Sequence, residues 1–209
     1  MRRFFDMDNP LWQALSVVTD MVILNLLTLL CCVPVITSGA AFTAMNDVVI
    51  RILRQEESGI LKNYGSALRQ NLKKGICFGL ILIVAAGLLY FDYLCALAYA
   101  PVFRYGIAAL AVLVLALSIY TFALLARYEN SLGKSIKNAA MLAIGYFPRT
   151  LGMVCFTVML WLLGIRYYRI GAPILFMFGV SLPCYVSIAL MRPVFDRLEK
   201  EKEEEEDPS

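Results

Sequence analysis

Asp20, Asn25 and Asp92 stand inside long apolar runs, and chemistry in this chain is first to be sought at them. A charge at the centre of a bilayer costs at least about 2.5–3.5 kcal/mol on the most lenient insertion scale, so such a residue needs a partner or a task. Counted from Leu11 at 1.5 Å per residue, Asp20 lies about 13 Å along a helix, close to the midplane of a bilayer. Asn25 follows about a turn and a half later. Two uses of Asp20 stay open: exchange of a proton or ligand, or a structural bond to Thr43 or Asn46 across a neighbouring helix. Asp92, near the far end of its run, has Arg104, Arg166 and Arg169 as candidate salt-bridge partners. Asp47 precedes Arg51 by four residues, the spacing of an ion pair on one helix face.

Other chemistries lack their residues. The chain has no histidine, which removes the usual general base and the commonest metal ligand. Its six cysteines include no C-x-x-C pair and lie in apolar runs, where they read as small buried apolar residues; no metal site and no cofactor is implied. No two acidic residues within the runs share an obvious depth, so the paired carboxylates of a hydrolytic site are not apparent and the reading is non-enzymatic. A formal charge of +3 is too small to point to nucleic acid. Ser38, Gly39 and Ala40 resemble a signal-peptide cleavage site, but the preceding apolar run, 11–33, exceeds a typical h-region and follows Asp6, Asp8 and Pro10, so the segment is expected to be retained.

The elements that position these residues follow from composition. Hydrophobic residues make up 60% and charged residues 17%, with a mean hydropathy of +0.71, against about half apolar and a quarter charged in an ordinary soluble domain. This is the composition of a membrane protein. The runs 11–33, 76–99, 105–126 and 171–191 each approach the roughly 20 residues that a helix needs to cross the hydrocarbon core. The run 150–165 is shorter but ends in interfacial aromatics, Trp161, Tyr167 and Tyr168. Pro34 cannot donate a backbone hydrogen bond, so the first helix should end near Cys32 or Val33, with Thr37 and Ser38 offering N-cap oxygens to a short second helix over 35–53. Small residues at Gly39, Ala40, Thr43 and Ala44 let a neighbouring helix approach closely, with Pro34 setting the turn.

The expected fold is therefore all-α: one polytopic transmembrane bundle over 1–198, with six spans and two amphipathic cytoplasmic helices. Lys and Arg fix its orientation. With six crossings, sixteen of the nineteen fall in cytoplasmic segments and only Arg104, Arg166 and Arg169 outside, which places both termini in the cytoplasm of a multi-pass protein of the inner, cytoplasmic membrane.

The amphipathic helices are predicted at 58–74, with Ile60, Leu61, Tyr64, Leu68 and Leu72 on one face, and at 131–147, with Leu132, Ile136, Ala140, Ala143 and Phe147 on one face. Their basic residues, Lys62, Arg69, Lys73, Lys74, Lys134 and Lys137, together with Arg149, form a surface for anionic lipid or for a protein partner. Pro183 is expected to kink the last span, whose Gly171, Pro173 and Gly179 also fit the interrupted helices of transporters. The acidic tail 199–209 is expected to be disordered. An offset of 75 residues, placing Lys62 and Asn63 on Lys137 and Asn138, hints at an internal repeat.

The pattern N-L-L-x-L-L-C-C-x-P-V-x-T-x-G-A-A-x-T-A at 25–44 resembles the N-terminal signature of the YesL family of small bacterial membrane proteins. F-x-x-x-x-P-L at 5–11, R-Q-E-E at 54–57 and the basic helix at 62–74 fit as well. The resemblance implies a polytopic inner-membrane protein of unknown biochemical activity, commonly encoded beside carbohydrate ABC importers, whose subunits become candidate partners. It brings no catalytic residue. Three classes of function stand side by side: an accessory or regulatory component of an importer, a small-solute transporter or channel using Asp20, Asn25 and the interrupted last helix, and a membrane-embedded enzyme. Flux through purified protein in liposomes separates the first two. The oligomeric state is not readable from the sequence.

Overall fold

The computed structural model describes residues 10–54, 59–99, 102–128 and 131–206. The motifs at 5–11 and 54–57 fall largely outside them. Among the described residues the chain is helical throughout, in the order α1 Pro10–Cys31, a short 3-10 turn Val35–Thr37, α2 Ser38–Leu53, α3 Ile60–Tyr99, α4 Phe103–Arg127, α5 Leu132–Gly145, α6 Phe147–Arg166, α7 Tyr168–Phe178 and α8 Ser181–Glu206.

Pro34 ends α1 as the sequence predicts, and hydroxyls absorb the freed carbonyls. Thr37 Oγ1 lies 2.7 Å from the carbonyl of Cys31 and 2.8 Å from that of Pro34, and Ser38 Oγ donates to Val35. The hydroxyls therefore serve the end of α1 rather than capping α2, whose N-cap makes no side-chain bond. Pro34 itself is exposed at the turn and takes no part in helix packing.

Helix α2 is the centre of the bundle. It packs against α1, α3, α4 and α8, and 56% of its apolar window is buried, against 6% for α3. The reason lies in its small residues. A Cβ on Gly39 would run into the carbonyl of Gly75 and lie 2.6 Å from Cα of Gly79, while one on Gly75 would lie 2.6 Å from Cα of Ala40. Gly39 thus meets the G-x-x-x-G of α3, backbone against backbone, the close approach that drives helix association in lipid. Thr43 is fully buried one turn later, its hydroxyl donating to Gly39.

Three clusters fill the remaining space. Met21 and Leu24 of α1 join Met45, Val48 and Val49 of α2, Tyr64 and Ala67 of α3, and Ile188 of α8. Tyr120 and Leu124 of α4 pack with Met153 of α6 and Met191 and Phe195 of α8. Phe78, Phe122 and Phe42 tie α3, α4 and α2, with ring centroids 5.0 and 5.6 Å apart.

Several expectations change. The amphipathic segment 58–74 and the span 76–99 are one unbroken 40-residue helix, about 60 Å long and twice the thickness of a hydrocarbon core. No helix breaker separates them, because Gly75 remains helical while serving the crossing. Leu61 and Leu72 are exposed, and the buried stripe is instead Tyr64, Ala67, Gly75 and Phe78. On α5 the buried residues are Ser135 and Ala139, and Phe147 is exposed. The corresponding segments α5 and α6 are separated at Tyr146, so the suggested 75-residue repeat is not matched helix for helix.

The last span is two helices, α7 and α8, bent by 59°. The break at Gly179 and Val180 lies one turn before Pro183, where the proline ring conflicts with the carbonyl of residue i−4. Beyond the bundle α8 continues through Glu206, where disorder was expected: an established helix propagates readily through Glu and Lys, both good helix formers. Of the cysteines, Cys184 alone is buried, and Cys77 and Cys155 are exposed on apolar helix surfaces.

Among the described residues four helices are long and apolar enough to cross a membrane, namely Val35–Leu53, Ile60–Leu97, Phe103–Arg127 and Phe147–Arg166; the bent pair α7 and α8 makes a fifth when taken as one span, and α1 is apolar over Leu15–Cys31. Large apolar side chains stand exposed along these helices, among them Val84, Leu88, Phe91, Leu113, Leu162 and Ile174. Soluble monomers rarely expose contiguous apolar surface on this scale. The chain is an all-α protein whose helices are compatible with a multi-pass membrane protein.

Candidate functional site

Two polar constellations stand out, one at mid-bundle and one at its end. The first is built on Asn25, which is fully buried. Its Oδ1 accepts hydrogen bonds from the backbone N–H groups of Val180 and Ser181, both at 3.0 Å, and its Nδ2 donates to the carbonyl of Phe176 at 2.8 Å. A broken helix leaves carbonyls at the end of one half and N–H groups at the start of the other without partners, and lipid cannot supply them. One amide side chain, with an acceptor and a donor back to back, satisfies both ends of the break. Asn25 is thus a clasp that holds the bent α7–α8 pair against α1. Ser181 Oγ, buried beside it, has no hydrogen-bond partner among the described residues.

Asp20 does not share this site. Five residues before Asn25 it projects about 140° away around the helix. It is half-exposed, with no hydrogen bond or ion pair among the described residues. Its expected partners are used within their own helix: Thr43 bonds to Gly39, and Asn46 Nδ2 to the carbonyl of Phe42. The face of α1 that meets α2 carries Met21 and Leu24. Asp20 stands on the same side of α1 as Leu24, one turn on, and is partly buried without meeting either expected partner. Asp92 is exposed on α3, without an ion pair among the described residues.

The second constellation lies where α2 and α4 end and α8 passes. Asp47, Ile50, Arg51, Arg54, Ala126, Arg127 and Tyr128 line a cavity of about 310 Å³, and an adjoining one of about 80 Å³ adds Leu53, Ile188 and Arg192. Asp47 Oδ2 pairs with Arg51 Nε at 3.1 Å, the ion pair that the spacing predicts. The Arg127 guanidinium sits 4.7 Å from the ring centroid of Phe195 and 5.8 Å from that of Tyr128. Arg192 Nη1 donates to the carbonyl of Leu53, the last residue of α2. The sequence does mark these arginines, since Arg51, Arg54, Arg127 and Arg192 fall at or just beyond the ends of apolar runs. Nothing in it tells that they converge.

The predicted basic surface is more scattered. Lys62, Arg69 and Lys73 of α3 and Lys134 and Lys137 of α5 are exposed, and Lys74 is half-buried. Lys73 and Lys74 adjoin Gly75, which packs on Ala40, so they lie about 20 Å along α2 from the Arg54 end. Arg149 is half-buried, its guanidinium 5.6 Å from the Tyr146 ring and its Nη1 buried without a partner among the described residues. It borders a polar knot in which Thr150 Oγ1 meets the Tyr120 hydroxyl at 2.9 Å and the carbonyl of Ala143 at 2.9 Å. Among the described residues no group of histidine, cysteine, aspartate or glutamate is placed to hold a metal ion.

No curated protein and no solved structure matches the chain. Residues 21–93, which run from the middle of α1 through α2 into α3 and include both the Asn25 clasp and the Gly39 crossing, match the profile of a family described as "Protein of unknown function, DUF624". That stretch of the chain is similar to a protein family of unknown function.

Proposed function

We propose that this chain is a non-enzymatic, multi-pass protein of the cytoplasmic membrane, with six spans and both termini inside, that serves as an accessory or regulatory component of an ABC importer for carbohydrate. The observation that carries the orientation is the gathering of Arg51, Arg54, Arg127 and Arg192 at one end of the bundle, since cytoplasmic ends of spans are enriched in Lys and Arg. The importer part is supported by the resemblance at 25–44 to the YesL family. The exposed basic residues Lys62 and Arg69 of α3 and Lys134 and Lys137 of α5 offer the surface for an importer subunit, with anionic lipid as its other claimant.

A second reading, a small-solute transporter or channel, is favoured by the break between α7 and α8, a feature that transporters use around substrate. The clasp weighs against it, because Asn25 already occupies the backbone groups that a substrate would use.

Cysteines introduced at 55–58 are expected to resist a membrane-impermeant thiol reagent in intact cells; labelling from outside would overturn the orientation. Substitution of Lys62, Arg69, Lys134 and Lys137 by Gln, with insertion intact, is expected to abolish co-purification of an importer subunit from the native host. Unchanged recovery would overturn the docking surface, and solute flux through the purified protein alone in liposomes would favour the second reading.

A further inference from the structure

We propose that the outer face of α1 around Asp20 docks a transmembrane helix of another protein, one that carries a Lys or Arg near the middle of its span. The proposal rests on the membrane part of the reading above and on neither the importer nor the transporter part. Asp20 is the eleventh residue of the 22 in Pro10–Cys31, so it stands halfway along α1. It also stands at the edge of the packed face: Leu24, one turn on, is fully buried, whereas Ser16, one turn back, and Ile23 are exposed. The rest of that outer face is apolar, with Leu15, Val18 and Leu26 exposed.

The opposite side of α1 is committed, Asn25 to the break between α7 and α8 and Met21 and Leu24 to the packing with α2. On the outer face Thr19 spends its hydroxyl on the carbonyl of Leu15. The Asp20 carboxylate and the Ser16 hydroxyl make no hydrogen bond or ion pair among the described residues. Carboxylates near span ends can reach water, but one at mid-span cannot, and there a charge calls for a partner of opposite sign. A second copy of this chain does not supply it. None of the runs 11–33, 76–99, 105–126, 150–165 and 171–191 contains Lys or Arg, and Arg51, near the end of α2, is paired with Asp47. A twofold contact through α1 would only bring a second Asp20. Charge complementarity therefore selects a different protein, and an ion pair inside lipid fixes the depth and the facing of the two helices.

The full chain is reconstituted in phosphatidylcholine vesicles with a photocrosslinking residue, p-benzoylphenylalanine, at position 19. The probes are Leu/Ala peptides of about 20 residues, long enough to span, with Lys, Leu or Asp at the centre. The Lys peptide is expected to crosslink about tenfold more than the Leu or Asp peptide, a factor within the upper range of polar bonds between membrane helices. This contrast is read on Asp20 itself and does not depend on a variant folding. D20N is expected to lose the preference, D20E to keep it, and D20K to transfer it to the Asp peptide. The photoprobe at position 84 on α3 is expected to show no preference, and R2Q/R3Q to behave as the parent. In the native host the probe at 19 is expected to label a protein whose crosslinked span contains Lys or Arg, with the label lost in D20N. The proposal is overturned if the parent does not prefer the Lys peptide, if D20N keeps the preference, if R2Q/R3Q strengthens it, which would show Asp20 already held by this chain's own arginines, or if the host product is a second copy or lipid alone. A chain that carbonate strips from the vesicles contradicts the membrane reading itself, whereas an inserted chain without the preference overturns the docking face alone.

Discussion

Replacing Asn25 by leucine tests the clasp most directly, because the two side chains are close in size and differ in what they bond. The substitution removes three hydrogen bonds at once and leaves the N–H groups of Val180 and Ser181 and the carbonyl of Phe176 without a side-chain partner, in surroundings that exclude water. Side-chain hydrogen bonds within membrane proteins average about 0.6 kcal/mol, with a maximum near 1.7, so three amount to about 2 kcal/mol and at most about 5. For a protein of this size 2 kcal/mol corresponds to a fall in Tm of roughly 4–8 °C. The assay is thermal unfolding of the purified chain in one detergent, with Ser181→Ala as the control: Ser181 Oγ is buried and without a partner among the described residues, so its removal is expected to leave Tm unchanged or slightly raised. Cysteine pairs across α1 and α8 give a second readout, since release of the clasp is expected to slow their crosslinking. An Asn25→Leu protein that melts within 1 °C of the parent and crosslinks at the same rate would show that the break in α7–α8 is held by something else, and the reasoning would fail.

Two further perturbations probe the scaffold around the clasp. Gly39→Ala places a methyl against the backbone of Gly75 and Gly79, which cannot yield unless α2 and α3 separate. A loss of about 1–3 kcal/mol is expected, whereas Gly87→Ala, with open space around it on α3, is expected to be neutral or to stabilise by up to about 1 kcal/mol through helix propensity. Equal melting of the two variants would refute the glycine crossing. Thr150→Val is expected to cost about 1–3 kcal/mol by leaving the buried Tyr120 hydroxyl unsatisfied. Adding Tyr120→Phe to it is expected to cost less than the sum of the single changes, a coupling that a double-mutant cycle measures.

The polar interior of this protein is structural first. Asn25, a candidate functional residue by its place in an apolar run, and Thr43, a packing residue, are both consumed by backbone groups, one across a helix break and the other one turn back along its own helix. What remains for interaction is the periphery: the arginine cleft, the exposed lysines of α3 and α5, and the apolar flanks of the long helices.

Local physics was readable from the residues alone. Apolar runs of sufficient length have to be helices where lipid is the solvent, Pro34 has to end one, the i,i+4 spacing of Asp47 and Arg51 has to bring them onto one face, and Pro183 has to break the helix a turn upstream. Each depends on neighbours within a few positions. The face that a residue presents was a different matter. Helix α1 is apolar nearly all round, so its periodicity carries little phase: the depth of Asp20 could be counted, but not the direction in which it points. Length along a helix is additive in residues, whereas azimuth is decided by which helix arrives to pack. For the same reason G-x-x-x-G at 75–79 was visible as a pattern but not as the counterpart of Gly39. Asn25 could not be matched in advance to groups more than 150 residues away, and the arginines at the ends of α2 and α4 and inside α8 came to line one cleft only when the three helices met. Where the chain is helical and where it must break follow from residues a few positions apart; which polar group meets which break and which charges share a cavity depend on packing, because those contacts join segments whose separation along the chain says nothing of their distance in space.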